Sequence, residues 1–416
     1  MTERRGAGVA WLIWGLGSLA YFVALFHRMS LGVASLDAQA RFGVQAPELA
    51  AFSVLQLLVY LAMQVPAGVL ADRLGPRAVI AAGMALMGAG ELLFGSSTSL
   101  AAGLLGRGLV GLGDACIFLN ALRLAHSWFP AARYGMMAML TGMAGGLGQL
   151  LTTAPLSFAL RHLGWTGTFA TSGIATIAFA VLLFLLVRDR PPGAAAPAEG
   201  ASVEAPERVR TALREAWARR GTRLAFWTHF TLMGPFITFT ALWGVPFLVQ
   251  GEGFSTPEAS WMLTVTVLVF VIASIVSGRL VALHPSVRSG LLAATALVVT
   301  IVWAIALAWP GRLPAVLLGC LLVVTGIGGA NSLLGFELAR ADNPSRRSGS
   351  ASGLVNIGGF GFAAVVELVA GGILSLTGAN YRLALLPVLA LAAFGSAQLV
   401  YRLRSSRTRV AATELD

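Results

Sequence analysis

The chain has 416 residues, 57% of them hydrophobic and 11% charged, with a mean hydropathy of +0.79. A water-soluble protein of this length needs more polar surface than that, so the composition excludes a soluble enzyme and points to lipid as the solvent. All 29 basic residues are arginine and the net charge is +11. In so apolar a chain their placement reports membrane orientation rather than affinity for nucleic acid.

About twelve apolar runs are long enough to cross ~30 Å of hydrocarbon as helices. They cover 10–34, 49–70, 78–97, 100–124, 135–159, 167–187, 224–249, 259–280, 289–309, 313–338, 350–375 and 383–402. The chain is therefore expected to be an all-α, multi-pass membrane protein. With both termini placed in the cytoplasm, four arginines fall outside (Arg41, Arg161, Arg312, Arg382), two fall within spans (Arg28, Arg107), and all others lie inside. That asymmetry obeys the positive-inside rule and requires an even number of crossings. Cys116 and Cys320 both fall in spans, so neither a disulfide nor a metal site is expected.

The first span contains YFVALFHRMSLGVA, with Tyr21, His27 and Arg28. Two readings of Arg28 stand side by side. Its planar fork of donors suits a substrate carboxylate or phosphate, and its long stem also suits snorkelling to the outer headgroups. The next loop reads GVLADRLGPR over 68–77, where Gly68 and Gly75 permit close approach and a tight turn. Glu91 lies toward the outer side of span 3. Span 4 reads LGRGLVGLGDACI and places Arg107 and Asp114 two turns apart on one face, expected to border a cavity. Seven residues is too far for a direct contact, so each is expected to meet a partner on another helix. Asp114 is the main candidate proton carrier. Burial and a nearby arginine act in opposite directions on a carboxylate's hold on its proton, so a change of exposure would load and unload it. The alternative is a permanently paired structural carboxylate.

Residues 188–222 break the apolar pattern: a Pro/Ala/Gly-rich stretch precedes RVRTALREAWARR, which suits a basic amphipathic helix on the inner surface. The expected division is a first bundle over 1–187, a cytoplasmic linker over 188–222, a second bundle over 223–404 and a cytoplasmic tail over 405–416. In span 7, His229 reads as an interfacial histidine near the inner end, and Pro235 is expected to break or kink the helix. LWGVPFL reads as a helix end or a flexible outer gate. Asn331 and Asn356, in spans 10 and 11, suit either substrate contact or helix–helix hydrogen bonds. Glu367 in span 11 is the second candidate proton site, and Glu337 beside Arg340 reads as a salt-bridged gate residue. No phosphate-binding loop, metal cluster or nucleophile–base arrangement is present in the sequence, so neither an enzyme nor a cofactor is expected.

The halves echo each other. GLGDA at 111–115 matches GIGGA at 326–330, and RYG at 133–135 matches RSG at 347–349, at nearly one offset. Parallel six-helix repeats are a recurrent transporter plan. At that offset Arg107 maps to Leu322 and Asp114 to Gly329, which concentrates charge in the first half.

GVLADRLGPR resembles the signature loop of the major facilitator superfamily, and RGLVGLGDA resembles that family's span-4 motif. The resemblance covers the whole chain. It implies two six-helix bundles, alternating access and secondary active transport of a small molecule, with protons as the coupling ion. It also implies that Gly68, Asp72, Arg73, Gly75 and Arg77 form a gate in which Asp72 pairs with a neighbouring helix end. An Arg at the position of Arg28, and an acid seven residues after the span-4 Arg, resemble the anion-handling branches, the organic anion–cation symporters and organophosphate exchangers. Tyr21, Arg28, His27, Asn331 and Asn356 are then substrate-contact candidates, and Asp114, Arg107 and Glu367 are coupling candidates. His27 stands where some relatives carry an acid. Span 5, TGMAGGLGQLL, lacks the Gly-Pro of the family's drug exporters. Export of amphipathic compounds, carriage of a neutral sugar and a transport-inactive nutrient sensor are the rival readings. The expected setting is a monomer in a bacterial inner membrane.

Overall fold

The computed structural model describes residues 2–130, 133–191, 209–344, 347–378 and 380–413. Every regular element among them is helical. Two compact units divide the chain, Met1–Ala205 and Pro206–Asp416.

The first unit contains α1 (Thr2–Phe42), α2 (Ala46–Leu74), α3 (Pro76–Ser96), α4 (Leu100–Asp114), α5 (Phe118–Trp128), α6 (Tyr134–Leu151) and α7 (Ala154–Leu186). The second contains α8 (Val209–Ala218), α9 (Arg220–Thr238), two π-helical segments (Phe239–Trp243 and Phe247–Gly251) flanking α10 (Gly244–Pro246), then α11 (Thr256–Leu283), α12 (Arg288–Ala308), α13 (Ala315–Ser332), α14 (Leu334–Ala341), α15 (Ser348–Thr377), α16 (Tyr381–Ala384) and α17 (Leu386–Thr413). Eleven helical stretches are long and apolar enough to cross a membrane, and Met136–Leu151 is a shorter apolar helix. Large apolar side chains such as Leu105, Ile174, Leu185 and Leu376 point outward, as a lipid solvent allows. The all-α membrane architecture expected from hydropathy is what forms.

Five spans depart from the sequence reading. The run at 135–159 is interrupted at Thr152–Thr153, because Pro155 in the first turn of α7 has no N–H with which to continue the preceding helix. Its continuation kinks at Gly164, where φ is +68°. Span 4 is two helices separated by Ala115–Ile117, and span 10 breaks at Leu333, so both spans break close after the matched glycine-rich stretch. In span 7 the helix runs through Pro235; the irregularity starts four residues later with the first π segment.

Local sequence sets the helix starts. Ser99 accepts from the Ala102 N–H, and Ser255 with Glu258 forms a capping box ahead of α11. Glycine sets how closely α3 and α4 approach. A Cβ on Gly113 would strike the Gly83 carbonyl and the Met87 backbone, so only glycine allows the crossing that brings Asp114 into the bundle. Gly113→Val is expected to cost about 1–3 kcal/mol by overpacking. The measurement is the melting temperature of the purified protein in detergent. Gly142→Ala, where a Cβ meets nothing within 4 Å, serves as the neutral control.

α8 lies in the linker stretch. Ala212 and Ala216 are buried, Trp217 packs edge-on against Phe226, and Glu215 pairs with Arg347. Residues 192–208 of the linker and 414–416 of the tail lie outside the described residues.

Candidate functional site: a buried charge cluster in the first unit

Five ionisable side chains meet inside the first unit: His27 and Arg28 from α1, Glu91 from α3, and Arg107 and Asp114 from α4. All five are buried. Arg28 turns inward to Asp114. Its Nε donates to Asp114 Oδ2 at 2.6 Å and its Nη2 to Oδ1 at 2.8 Å, a side-on bidentate pair. The guanidinium also lies over the Tyr60 ring of α2, 4.2 Å from its centroid. This conformation is not the outward-reaching one that snorkelling requires.

Arg107 and Asp114 have separate partners, as their spacing requires. Arg107 Nη1 lies 3.6 Å from Glu91 Oε1 and donates to Ser30 Oγ at 3.2 Å. It also reaches the His27 carbonyl, and Nη2 donates to the Arg28 carbonyl. Arg107 thus grips the α1 backbone at the residues that present the Arg28 side chain. It is fully buried, with α1, Glu91 and the face of Phe94 against it. His27 Nδ1 lies 3.0 Å from Glu91 Oε1, and Nε2 is 2.7 Å from Thr176 Oγ1 on α7.

Glu91 is the member that sequence reasoning left without a role. It was visible only as an acid in an apolar run. Its partners depend on the α3–α4 crossing, which puts Gly90 and Gly106 in backbone contact. Tyr21 lies two turns before Arg28 on α1, its ring 4.6 Å from Phe118 and close to Gly145.

The remaining candidates lie in the second unit. Asn331 is buried and donates to Thr295 Oγ1 at 2.8 Å, a bond between α13 and α12. Asn356 is half-buried on α15. Glu367 is buried, and its carbonyl accepts from Trp243 Nε1 at 3.3 Å. His229 is buried against Phe336 and Gly359.

At the loop motif, Gly75 has φ +82° and separates α2 from α3, with Pro76 opening α3. Gly68 accepts through its carbonyl from Arg123 at 3.0 Å. Arg73 is exposed, and Arg77 stacks over Phe184. Asp72 sits in the last turn of α2, and its side chain is not among those described. The structure adds Asp189, which accepts from the Arg77 N–H at 2.7 Å and lies directly against Gly75. A carboxylate there satisfies an unpaired donor at the start of α3 and suits the positive end of the helix dipole. Asp189→Ala is expected to cost about 1 kcal/mol, read as a lower melting temperature with transport otherwise retained. Among the described residues no group of three or more His, Cys, Asp or Glu is arranged to hold a metal ion.

Residues 17–366 match the family profile described as Major Facilitator Superfamily. The chain belongs to the major facilitator superfamily. Among the family's curated members it is similar to the "Probable sulfoacetate transporter SauU" of Cupriavidus necator, with 26% identity over 43% of this chain and 42% of that one. It is also similar to the "Probable L-galactonate transporter" of Escherichia coli, with 28% identity over 41% of this chain and 39% of that one. The match spans less than half the length of these curated relatives. Among solved structures, a bacterial homolog of the human lysosomal transporter Spinster superposes with a TM-score of 0.75 at 17% identity, covering 95% of this chain and 97% of the other. This major facilitator therefore has the family's fold as well as its sequence pattern.

Proposed function

We propose that this major facilitator carries a small organic anion by alternating access, with a proton on Asp114 as the coupling ion. The observation that carries the reading is the buried bidentate pair of Arg28 and Asp114. An Arg fork held by a carboxylate is a site that a substrate carboxylate or sulfonate fits equally well. An incoming anion displaces Asp114 from Arg28. The displaced carboxylate, buried and deprived of its cation, takes up a proton. Release of the anion returns Asp114 to Arg28 and expels the proton, so neither ligand completes the cycle alone. The two relatives named for sulfoacetate and galactonate support an anionic substrate. The arginine distribution supports a bacterial inner membrane with cytoplasmic termini.

The test uses the purified full chain. A thermal-shift screen against carboxylates, sulfonates, phosphates, sugars and cationic dyes is expected to single out carboxylates or sulfonates, since ligands of the folded state raise the melting temperature. In proteoliposomes the same anion is expected to accumulate under an imposed pH gradient and to leak back when a protonophore collapses it. Stabilisation by cationic dyes alone overturns the anion reading. Anion binding without flux identifies a sensor instead.

A further inference from the structure

Buried charge in the cluster can be counted. Among the described residues only two arginines are buried, Arg28 and Arg107, both in the first unit. Arg107 is engaged through its two terminal nitrogens, with Glu91 at 3.6 Å and hydrogen bonds to Ser30 and to the carbonyls of His27 and Arg28, while its Nε makes no hydrogen bond. Among the described residues of the second unit the buried histidine and acidic groups are His229, Glu252 and Glu367. Glu252 is taken up by Arg382 and the Leu313 N–H. Two guanidiniums therefore face two carboxylates in the first unit. These four charges sum to zero, and the two nitrogens of His27 contact Glu91 and Thr176. A single cation, Arg28, has a counter-ion that substrate can replace.

We infer that the site takes monoanions, one carboxylate or sulfonate on a neutral polar body, and rejects dianions, with Glu91 setting the limit by neutralising Arg107. This rests on the anion reading above. A monoanion on Arg28, with one proton moving to Asp114, restores the zero sum. A dianion leaves one negative charge uncompensated in a site of low dielectric, where an unpaired charge is strongly penalised. A neutral neighbour is also free to bond. Gln56, one turn from Tyr60 on α2, is buried with neither its amide nitrogen nor its oxygen hydrogen-bonded. Such an amide suits substrate hydroxyls, as in a hydroxy acid. The limit sets this chain apart from the relative named for sulfoacetate, which carries two negative charges.

The experiment measures affinity for matched pairs of acids on one carbon skeleton: glycerate with tartronate, gluconate with glucarate, and galactonate with galactarate. At pH 7.5 both carboxyls of each diacid are ionised. In the wild-type chain at least one monoacid is expected to bind, at least tenfold more tightly than its diacid. In Glu91→Gln, which releases the charge of Arg107, the diacid is expected to gain at least tenfold relative to its monoacid. A diacid that binds wild type as tightly as its monoacid overturns the charge limit and leaves the anion reading intact. An unchanged ratio in Glu91→Gln overturns the role of Glu91. No binding within any pair overturns both readings. If Glu91→Gln does not fold, the wild-type comparison alone decides the charge limit.

Discussion

Replacing Asp114 with asparagine is expected to abolish proton-driven accumulation of the anion while leaving anion exchange in place. The amide keeps the shape of the side chain and accepts a bond from Arg28, but it carries no charge and takes up no proton. Two effects then oppose each other. Removing one partner of a buried ion pair leaves Arg28 uncompensated, at a cost of about 3–5 kcal/mol. The variant is expected to melt well below wild type when no anion is present. An incoming anion, however, no longer competes with a carboxylate for the fork. Binding is therefore expected to be tighter than in wild type and to restore much of the lost stability, because a bound ligand adds RT ln(1 + [L]/Kd). Melting curves with and without a carboxylate, counterflow, and uptake driven by a pH gradient read out all three. An Asp114→Asn protein that still concentrates anion would falsify the coupling role. A melting temperature indifferent to added anion would mark the pair as structural only.

The sequence made the helices and the charged faces legible but not the partners. Hydropathy marks the spans because lipid requires ~20 apolar residues in a row, and glycine and proline then blur the ends. Pro155 and Gly164 move the boundaries of spans 5 and 6, while Pro235 is absorbed and π segments follow it. The helical period puts Arg107 and Asp114 on one face. It does not reveal that Asp114 meets an arginine 86 residues earlier, because that depends on how α1 packs on α4. Glu91 was visible as an acid in apolar surroundings, yet its contacts follow from backbone approach at glycines. Asp189 was hidden for another reason: it lies in the 188–222 stretch whose composition reads as linker, although its carboxylate is fixed against Gly75 and the Arg77 N–H.

A large loss of affinity is expected from Arg28→Lys, even though the substitution preserves charge. Arg28 makes two parallel N–H···O bonds with Asp114, at 2.6 and 2.8 Å, and lies over Tyr60. A substrate carboxylate bound in the same manner uses the same two donors. Lysine offers a point charge on a flexible stem and cannot reproduce that geometry. Losing one charge-assisted bond costs about 1.5–3 kcal/mol, or roughly 10- to 150-fold in Kd. The charge itself stays, so Asp114 keeps a cation nearby and the stability loss is expected to be smaller than for Arg28→Ala, which strands a buried carboxylate. Arg107→Lys makes the contrast. Arg107 reaches the carbonyls of His27 and Arg28 rather than Asp114, so the loss is expected in melting temperature first and in affinity second. Titration of each variant with the carboxylate found in the screen, beside its melting curve, separates the two. If Arg107→Lys proves the weaker binder and Arg28→Lys binds as wild type does, the anion sits on the other arginine, and the exchange between substrate and Asp114 has to be abandoned.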